Sequence, residues 1–287
     1  MSSVFTILGG DMRSAVLADL IKSDGNEVML YGFDKLKQHK GKNSSIKDVI
    51  TKAKFVIGPL PFSDDNEKIH APFFTEEIMI EEVLKYLNES QLFMGGKINS
   101  RIIDKASDQE VKIVDYFARE EMQVLNAIPT AEGAIQTAME EMSITLHESK
   151  AIVLGYGRIG KALSKILYGI GANVYVEARK YEDLAWIRNS NYSPVQLKDL
   201  KSYLPKMDVI FNTIPQMILD KETLKFVDKK CIIIDLASKP GGVDKTAAEE
   251  FKIKTISALG LPGKVAPTTA AKVIKDTIYN IIDEWEV

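Results

Sequence analysis

One short pattern limits what this chain can fold into more than any other. Residues 151–180 read AIVLGYGRIGKALSKILYGIGANVYVEARK, with Gly155, Gly157 and Gly160 in G-x-G-x-x-G spacing. The apolar run Ile152, Val153 and Leu154 comes just before the first glycine. Ala162, Leu163, Ile166 and Leu167 recur after the third at helical spacing. Strand, glycine turn, helix and second strand form the context that makes a short glycine motif specific. In such a unit the first glycine permits a tight turn, the second lets a pyrophosphate approach the backbone, and the third lets helix and strand pack closely. The phosphate then rests on the free N–H groups of the helix start. The stretch predicts a dinucleotide-binding α/β fold, with Gly155, Tyr156, Gly157, Arg158, Ile159 and Gly160 at the cofactor.

A second, degenerate unit opens the chain. Residues 4–8 are an apolar run ending in Gly9-Gly10-Asp11. A helical pattern through Ala15, Val16, Ala18, Leu20 and Ile21 follows, and EVMLYGFD is a second strand ending at Asp34. The third glycine is missing, so this copy predicts the fold without the dinucleotide. Gly9-Gly10 reads either as a tight turn or as the seat of a ligand held near Asp11 and Arg13. KFVIGPLPF, QLFMGG and VKIVDYF add strands, and EEIMIEEVLKYLN (76–88) reads as an amphipathic helix. Further on, DVIFNTIP and CIIIDLASKPGG are strands with polar tips of the kind that rim a ligand crevice. KIKTISALGLPGKVAP closes this half through a proline and glycine loop.

At 287 residues the chain has room for two domains. The expected class is α/β: two Rossmann-like doubly wound parallel-sheet domains joined by a long connector helix and a C-terminal crossover helix. Residues 1–128 form the first domain, for substrate or partner, and 148–266 the dinucleotide domain. The connector, 129–147, starts after Pro129 with Thr130 as N-cap. Its apolar stripe is Ile135, Ala138, Met139, Met142 and Leu146. The last helix, 267–287, carries Val273, Ile274, Ile278, Ile281, Ile282 and Trp285 on one face and packs back on the first domain.

Several function classes fall away on composition. A net charge of -3 gives no nucleic-acid footprint. A single cysteine, Cys231, sits in the apolar run CIIIDLA, which fits a buried strand thiol in a reducing cytoplasm. No apolar run approaches the ~20 residues that span a membrane, and no signal peptide pattern is present. His39, His70 and His147 are scattered without ligand spacing, so no metal is expected.

The end of the second strand of a dinucleotide unit separates NAD from NADP. An acid there binds the ribose 2′-OH, whereas an arginine accommodates the 2′-phosphate. Glu177 lies close to the acidic position, but the alternation of Val174 and Val176 makes Ala178 the tip, with Arg179 and Lys180 beyond it. A fork and a point charge favour NADP over NAD. The plainer reading is two solvated loop cations.

Seven motifs, GGDMR, LNAIPTAEG, LGYGRIGKAL, VEARK, NTIPQMIL, DLASKPGG and GLPGKVAPTTA, run in this order over nearly the whole chain. In that combination the chain resembles the family of dipicolinate synthase A subunits. More distantly it is similar to alanine dehydrogenase and the D-2-hydroxyacid dehydrogenases. It departs from the family at Ala127 and Ala131, where serine and valine are usual; neither change removes a chemically necessary group. The resemblance implies an NADP-dependent oxidation of dihydrodipicolinate, or of its hydrated precursor, to dipicolinate in the mother-cell cytoplasm of a sporulating bacterium. It also implies a flavoprotein-like partner, the B subunit of the synthase, and leaves self-association open. It extends the cofactor set to Asn212, Thr213, Ile214, Pro215, Asp235, Leu236, Ala237, Ser238, Gly260 and Pro262.

A dicarboxylate substrate calls for arginine forks. Arg13, with Asp11 beside it, and Arg119 are the candidates, with Asn126, Thr130 and Lys239 as further contacts. Arg119 can equally be a helix-face cation paired with Glu120 or Glu121. Glu132, with Thr130, is the candidate for proton transfer; Glu132 can equally be a first-turn acid that complements a helix dipole. Two other readings stay open: a dehydrogenase of another small amino or hydroxy acid, and a non-catalytic NADP(H)-binding regulatory protein.

Overall fold

The structure, a computed structural model, describes residues 2–37, 45–238 and 240–286. His39 and Lys239 lie outside the described residues. The chain divides into two compact units, Met1–Leu125 with Ala266–Val287, and Asn126–Val265.

The first unit alternates β1 (Val4–Leu8), α1 (Met12–Ser23), β2 (Glu27–Tyr31), α2 (Ile46–Lys52), β3 (Phe55–Ile57), α3 (Ile80–Tyr86), β4 (Leu92–Gly95), α4 (Ser100–Asp108) and β5 (Lys112–Asp115). All strands pair in parallel, in the order β2-β1-β3-β4-β5. Helices cover both faces, so the inner strands β3 and β4 are buried on both sides and read as unbroken apolar runs. Helix α3 is shorter than its periodicity predicts. Ile69 donates its N–H to the Ile78 carbonyl and Lys68 bridges Met79, so Ile78 and Met79 are held by the 68–69 segment and the helix starts only at Ile80.

Helix α5 (Glu120–Glu141) corrects the expected connector. It begins nine residues before Pro129 and carries that proline inside, so Thr130 is a mid-helix residue rather than an N-cap. A proline in a helix interior removes one N–H and costs ~3 kcal/mol. Burial on both sides of it offsets this. Met122 packs in the core of the first unit, and Ala131, Ala134, Ile135 and Ala138 in that of the second. The Thr130 hydroxyl adds a bond within the helix, donating to the Asn126 carbonyl at 2.8 Å.

The second unit continues with β6 (Lys150–Leu154), α6 (Arg158–Ile170), β7 (Asn173–Glu177), α7 (Tyr181–Asn189), β8 (Ser193–Val195), α8 (Leu200–Tyr203), β9 (Val209–Asn212), α9 (Lys221–Leu224), β10 (Ile232–Asp235), α10 (Lys245–Glu250), β11 (Lys254–Ser257) and α11 (Leu261–Val265). Its six parallel strands run β8-β7-β6-β9-β10-β11. That is the doubly wound order in which the strand sequence reverses between β6 and β9, where ligands of such sheets bind. Periodicity overlooks β8, three residues long with Pro194 in its middle; a proline is tolerated there because β8 is an edge strand. The closing loop is also partly a helix, α11, with Pro262 buried.

Helix α12 (Pro267–Glu286) returns to the first unit. Its Ala271, Val273, Ile274, Ile278 and Ile281 enter one core with Ala15, Leu17, Ala18 and Ile21 of α1. Each fully buried isoleucine contributes about 1.5–3 kcal/mol. No helix among the described residues is long and apolar enough to cross a membrane.

Candidate functional site

Parallel register brings four strand tips level in the second unit. Leu154 of β6 lies opposite Glu177 of β7 and Asn212 of β9, and Asn212 lies opposite Asp235 of β10. The chain leaves β6 through Gly155 at φ +93°, a conformation that favours glycine. A Cβ on Gly155 would lie 2.7 Å from Thr213 Oγ1, and one on Gly160 would lie 2.1 Å from the Gly155 carbonyl oxygen. Neither position tolerates a side chain. Gly157 differs: a Cβ there would meet nothing within 4 Å. It is also the N-cap of α6 and, having no side chain, places no capping group over the helix start. Tight turn, open approach and close packing are the three conditions a pyrophosphate requires, and the site fits one. Tyr156 and Ile159 are half-buried, and Arg158 is exposed at the first helical position. Lys161 adds a cation 5.4 Å from the Tyr156 ring centroid.

At the tip of β7, Glu177 is 1% exposed, and its Oε1 has no hydrogen-bond partner among the described residues. Burial pushes its carboxyl above the ordinary range, against the opposing pull of Arg179 and the Gly155 N–H. The acid thus lies beneath the surface, Ala178 is buried at the first position past the strand, and Arg179 and Lys180 are exposed. The two cations are not equivalent. Lys180 Nζ lies 3.2 Å from Glu182 Oε1, whereas Arg179 forms no ion pair among the described residues.

The far tips correct two expectations. Asn212 and Asp235 do not present their side chains to a ligand; they turn into each other. Asn212 Nδ2 donates to Asp235 Oδ1 at 2.8 Å, and both residues are buried, at 0% and 3% exposure. The physical reason is that a carboxylate so deeply buried must find donors. Thr213 is half-buried and donates its hydroxyl to the Leu154 carbonyl at 2.8 Å. Ile214 is half-buried, Pro215 and Ser238 are exposed, and Leu236 and Ala237 are buried. Gly260 is exposed at φ +67°, whereas Pro262 packs inward on α11 and offers no surface.

The substrate candidates are rearranged as well. Asp11 caps α1 by accepting the Arg13 N–H at 2.9 Å, and it also grips the Arg13 guanidinium, Nε at 3.0 Å and Nη2 at 2.8 Å. Arg13 Nη2 further donates to the Leu60 carbonyl. Arg13 is buried, so this fork is a clamp between the β1 and β3 tips rather than a free carboxylate receptor. Tyr116, which the sequence does not single out, completes that corner: fully buried, it donates to the Gly58 carbonyl at 3.2 Å.

Arg119 follows its plainer reading. It pairs with Glu121 at 2.8 Å and bidentately with Glu284 of α12 at 2.7 and 2.6 Å. It is therefore a structural cation, because two carboxylates already fill its fork. Asn126 Oδ1 is buried without a partner among the described residues. The Thr130 hydroxyl is buried and bonded within α5. Glu132 is exposed and lies well inside α5, so it cannot serve as a first-turn acid. Cys231 is buried, and burial pushes its thiol up. No metal-ligating cluster occurs among the described residues.

Known proteins resemble both units. Residues 4–117 match the family described as the N-terminal domain of the dipicolinate synthase A subunit, and residues 116–259 the D-isomer specific 2-hydroxyacid dehydrogenase NAD binding domain. The A subunit of dipicolinate synthase from Bacillus subtilis is 32% identical, over 97% of this chain and 95% of its own length. The crystal structure of the corresponding A subunit from Bacillus halodurans superimposes with a TM-score of 0.89 at 29% identity, over 97% of each chain. The apo-structure of D-lactate dehydrogenase from Escherichia coli shares the fold, with a TM-score of 0.63 at 15% identity, over 99% of this chain and 97% of its own.

Proposed function

The chain belongs to the family of dipicolinate synthase A subunits, and from that premise we propose that it oxidises dihydrodipicolinate, or its hydrated 4-hydroxy precursor, to dipicolinate with NADP. The observation that carries the oxidoreductase reading is the open, uncapped approach at Gly157 between two glycines that admit no side chain. The preference for NADP is supported by Arg179, exposed beside a tip where Ala178 holds the acidic position and the acid at the strand end, Glu177, is buried.

Aromatising the ring removes two electrons and one ring hydrogen to an acceptor and one proton to a base; the hydrated precursor also loses water. NADP, when bound, supplies the two-electron acceptor. The protein's own residues bind and orient. The α6 N–H groups and the glycine turn hold the pyrophosphate, and Arg179 with Lys180 holds the 2′-phosphate. Thr213, Ile214, Pro215, Ala237, Ser238 and Gly260 line the rest of the dinucleotide. Glu132 accepts the proton. Asn126 and Lys239 contact the substrate. The protein works with the flavoprotein-like B subunit, in the mother-cell cytoplasm of a spore former.

The test is to co-purify the two chains, supply dihydrodipicolinate with NADP or NAD, and follow the reduced nicotinamide by its absorbance. Turnover with dihydrodipicolinate, faster with NADP, is expected. Turnover with alanine or a 2-hydroxy acid instead, or NADPH binding without turnover when the B subunit is present, refutes the assignment.

A further inference from the structure

We infer that Asn212 and Asp235 act as one positioning unit that sets the height of the 213–215 turn over the glycine turn, and through it the affinity for the dinucleotide. This rests on the dinucleotide reading above and concerns residues that touch no ligand themselves.

The Asn212 amide grips one residue at two points. Its Nδ2 donates to the Ile214 carbonyl at 3.1 Å and its Oδ1 accepts the Ile214 N–H at 3.2 Å. Ile214 lies just beyond the end of β9, where the strand ladder no longer pairs its backbone groups; without the staple they would have to find other partners. The same Nδ2 donates to Asp235 Oδ1 at 2.8 Å, and that oxygen also accepts the Ala237 N–H at 3.3 Å. A charged acceptor makes the central bond roughly twice as strong as a neutral one. Two strand tips and the two turns that follow them thus share one buried polar node.

The node has no slack. A Cβ on Gly242 would lie 2.4 Å from Asn212 Nδ2 and 2.5 Å from the Ile214 carbonyl oxygen, so the 241–242 segment packs directly on the staple. On the other side the stapled turn meets the glycine turn. A Cβ on Gly155 would lie 2.7 Å from Thr213 Oγ1 and 2.9 Å from Ile214 Cγ1, and Thr213 bonds the Leu154 carbonyl through both its N–H and its hydroxyl, at 3.0 and 2.8 Å. A shift of the node therefore moves the wall that lies against the phosphate-binding turn. The two side chains themselves reach no surface.

The experiment uses the full chain and three variants: Asn212→Asp, Asp235→Asn, and the double exchange. NADPH binding is followed by its fluorescence, alongside thermal melting. Asn212→Asp sets two carboxylates face to face and strips the Ile214 carbonyl of its donor. A turn displaced far enough to cost the dinucleotide one hydrogen bond to a charged group raises the Kd about 10- to 100-fold, the effect expected here. Asp235→Asn, which leaves a neutral acceptor, raises it less. The double exchange regenerates an amide–carboxylate bond and recovers part of the loss. If Asn212→Asp fails to fold, Asp235→Asn, which weakens the same node from its other side, carries the test and should still raise the Kd. Folded variants with lowered Tm but a Kd within twofold of the parent make the node purely structural and overturn the inference. A parent chain that binds neither NADPH nor NADH overturns the dinucleotide reading itself, a result distinct from any difference among variants.

Discussion

Gly157→Ala separates the cost of a side chain to folding from its cost to binding. Gly157 sits at φ -80° and ψ -165°, a conformation open to any residue, and its Cβ would meet nothing within 4 Å. Replacing glycine by alanine at such a position stabilises by about 0.4–1 kcal/mol, through the loss of unfolded-state freedom. Alanine is a poorer N-cap than glycine, which costs about 0.5–1 kcal/mol. The two offset each other, so the net change is within about 0.5 kcal/mol and Tm moves by no more than about 2 °C. The methyl group, however, occupies the approach to the α6 N–H groups. Loss of a single charge-assisted bond is worth about 1.5–3 kcal/mol, a factor of roughly 10–150 in Kd. Thermal melting together with NADPH fluorescence titration measures both quantities on one sample. Gly160→Ala is the opposite control: a Cβ placed 2.1 Å from the Gly155 carbonyl forces β6 and α6 apart, so Tm itself must fall. An unchanged Kd in a folded Gly157→Ala protein, or a Tm lowered by more than about 5 °C, refutes the account of the three glycines.

Arg179→Ala should weaken NADPH about 10- to 100-fold and leave NADH unchanged. Lys180→Ala, whose cation is exposed and already shared with Glu182, should cost less than about fivefold; equal effects in competition titrations contradict the asymmetry. Glu132→Gln should lower kcat about 100-fold or more with little change in NADPH Kd, and unaltered turnover removes Glu132 as the base. Arg119 holds the Glu284 carboxyl below its usual range through their hydrogen bond, so that stabilisation is present above the ordinary carboxylate pKa and is lost as pH falls through the lowered one. Arg119→Ala should therefore melt below the parent at pH 7, with the gap closing below about pH 4, and its dinucleotide Kd should not change.

Local pattern is enough for the parts of this protein that depend on neighbours in the chain. Three glycines between an apolar run and a helical stripe specify a βα turn wherever they occur, because each answers a steric demand set within a few residues. The degenerate unit at Gly9-Gly10 and the apolar face of α12 are legible for the same reason. What only the tertiary structure decides are pairings whose members are far apart in sequence. Pro129 signals a helix start locally, yet α5 runs through it because two cores anchor its two ends. Arg119 reads in the sequence as either a substrate fork or a helix-face cation, and Glu284, 165 residues away, decides for the second by filling it. Arg13 is closed off by its neighbour Asp11 and by the carbonyl of Leu60, 47 residues on. Asn212 and Asp235, 23 residues apart, read as two ligand-facing tips and fold into one buried node. In each case a polar group's partner is chosen by strand register and burial, and burial makes satisfying that group more urgent than presenting it to a ligand.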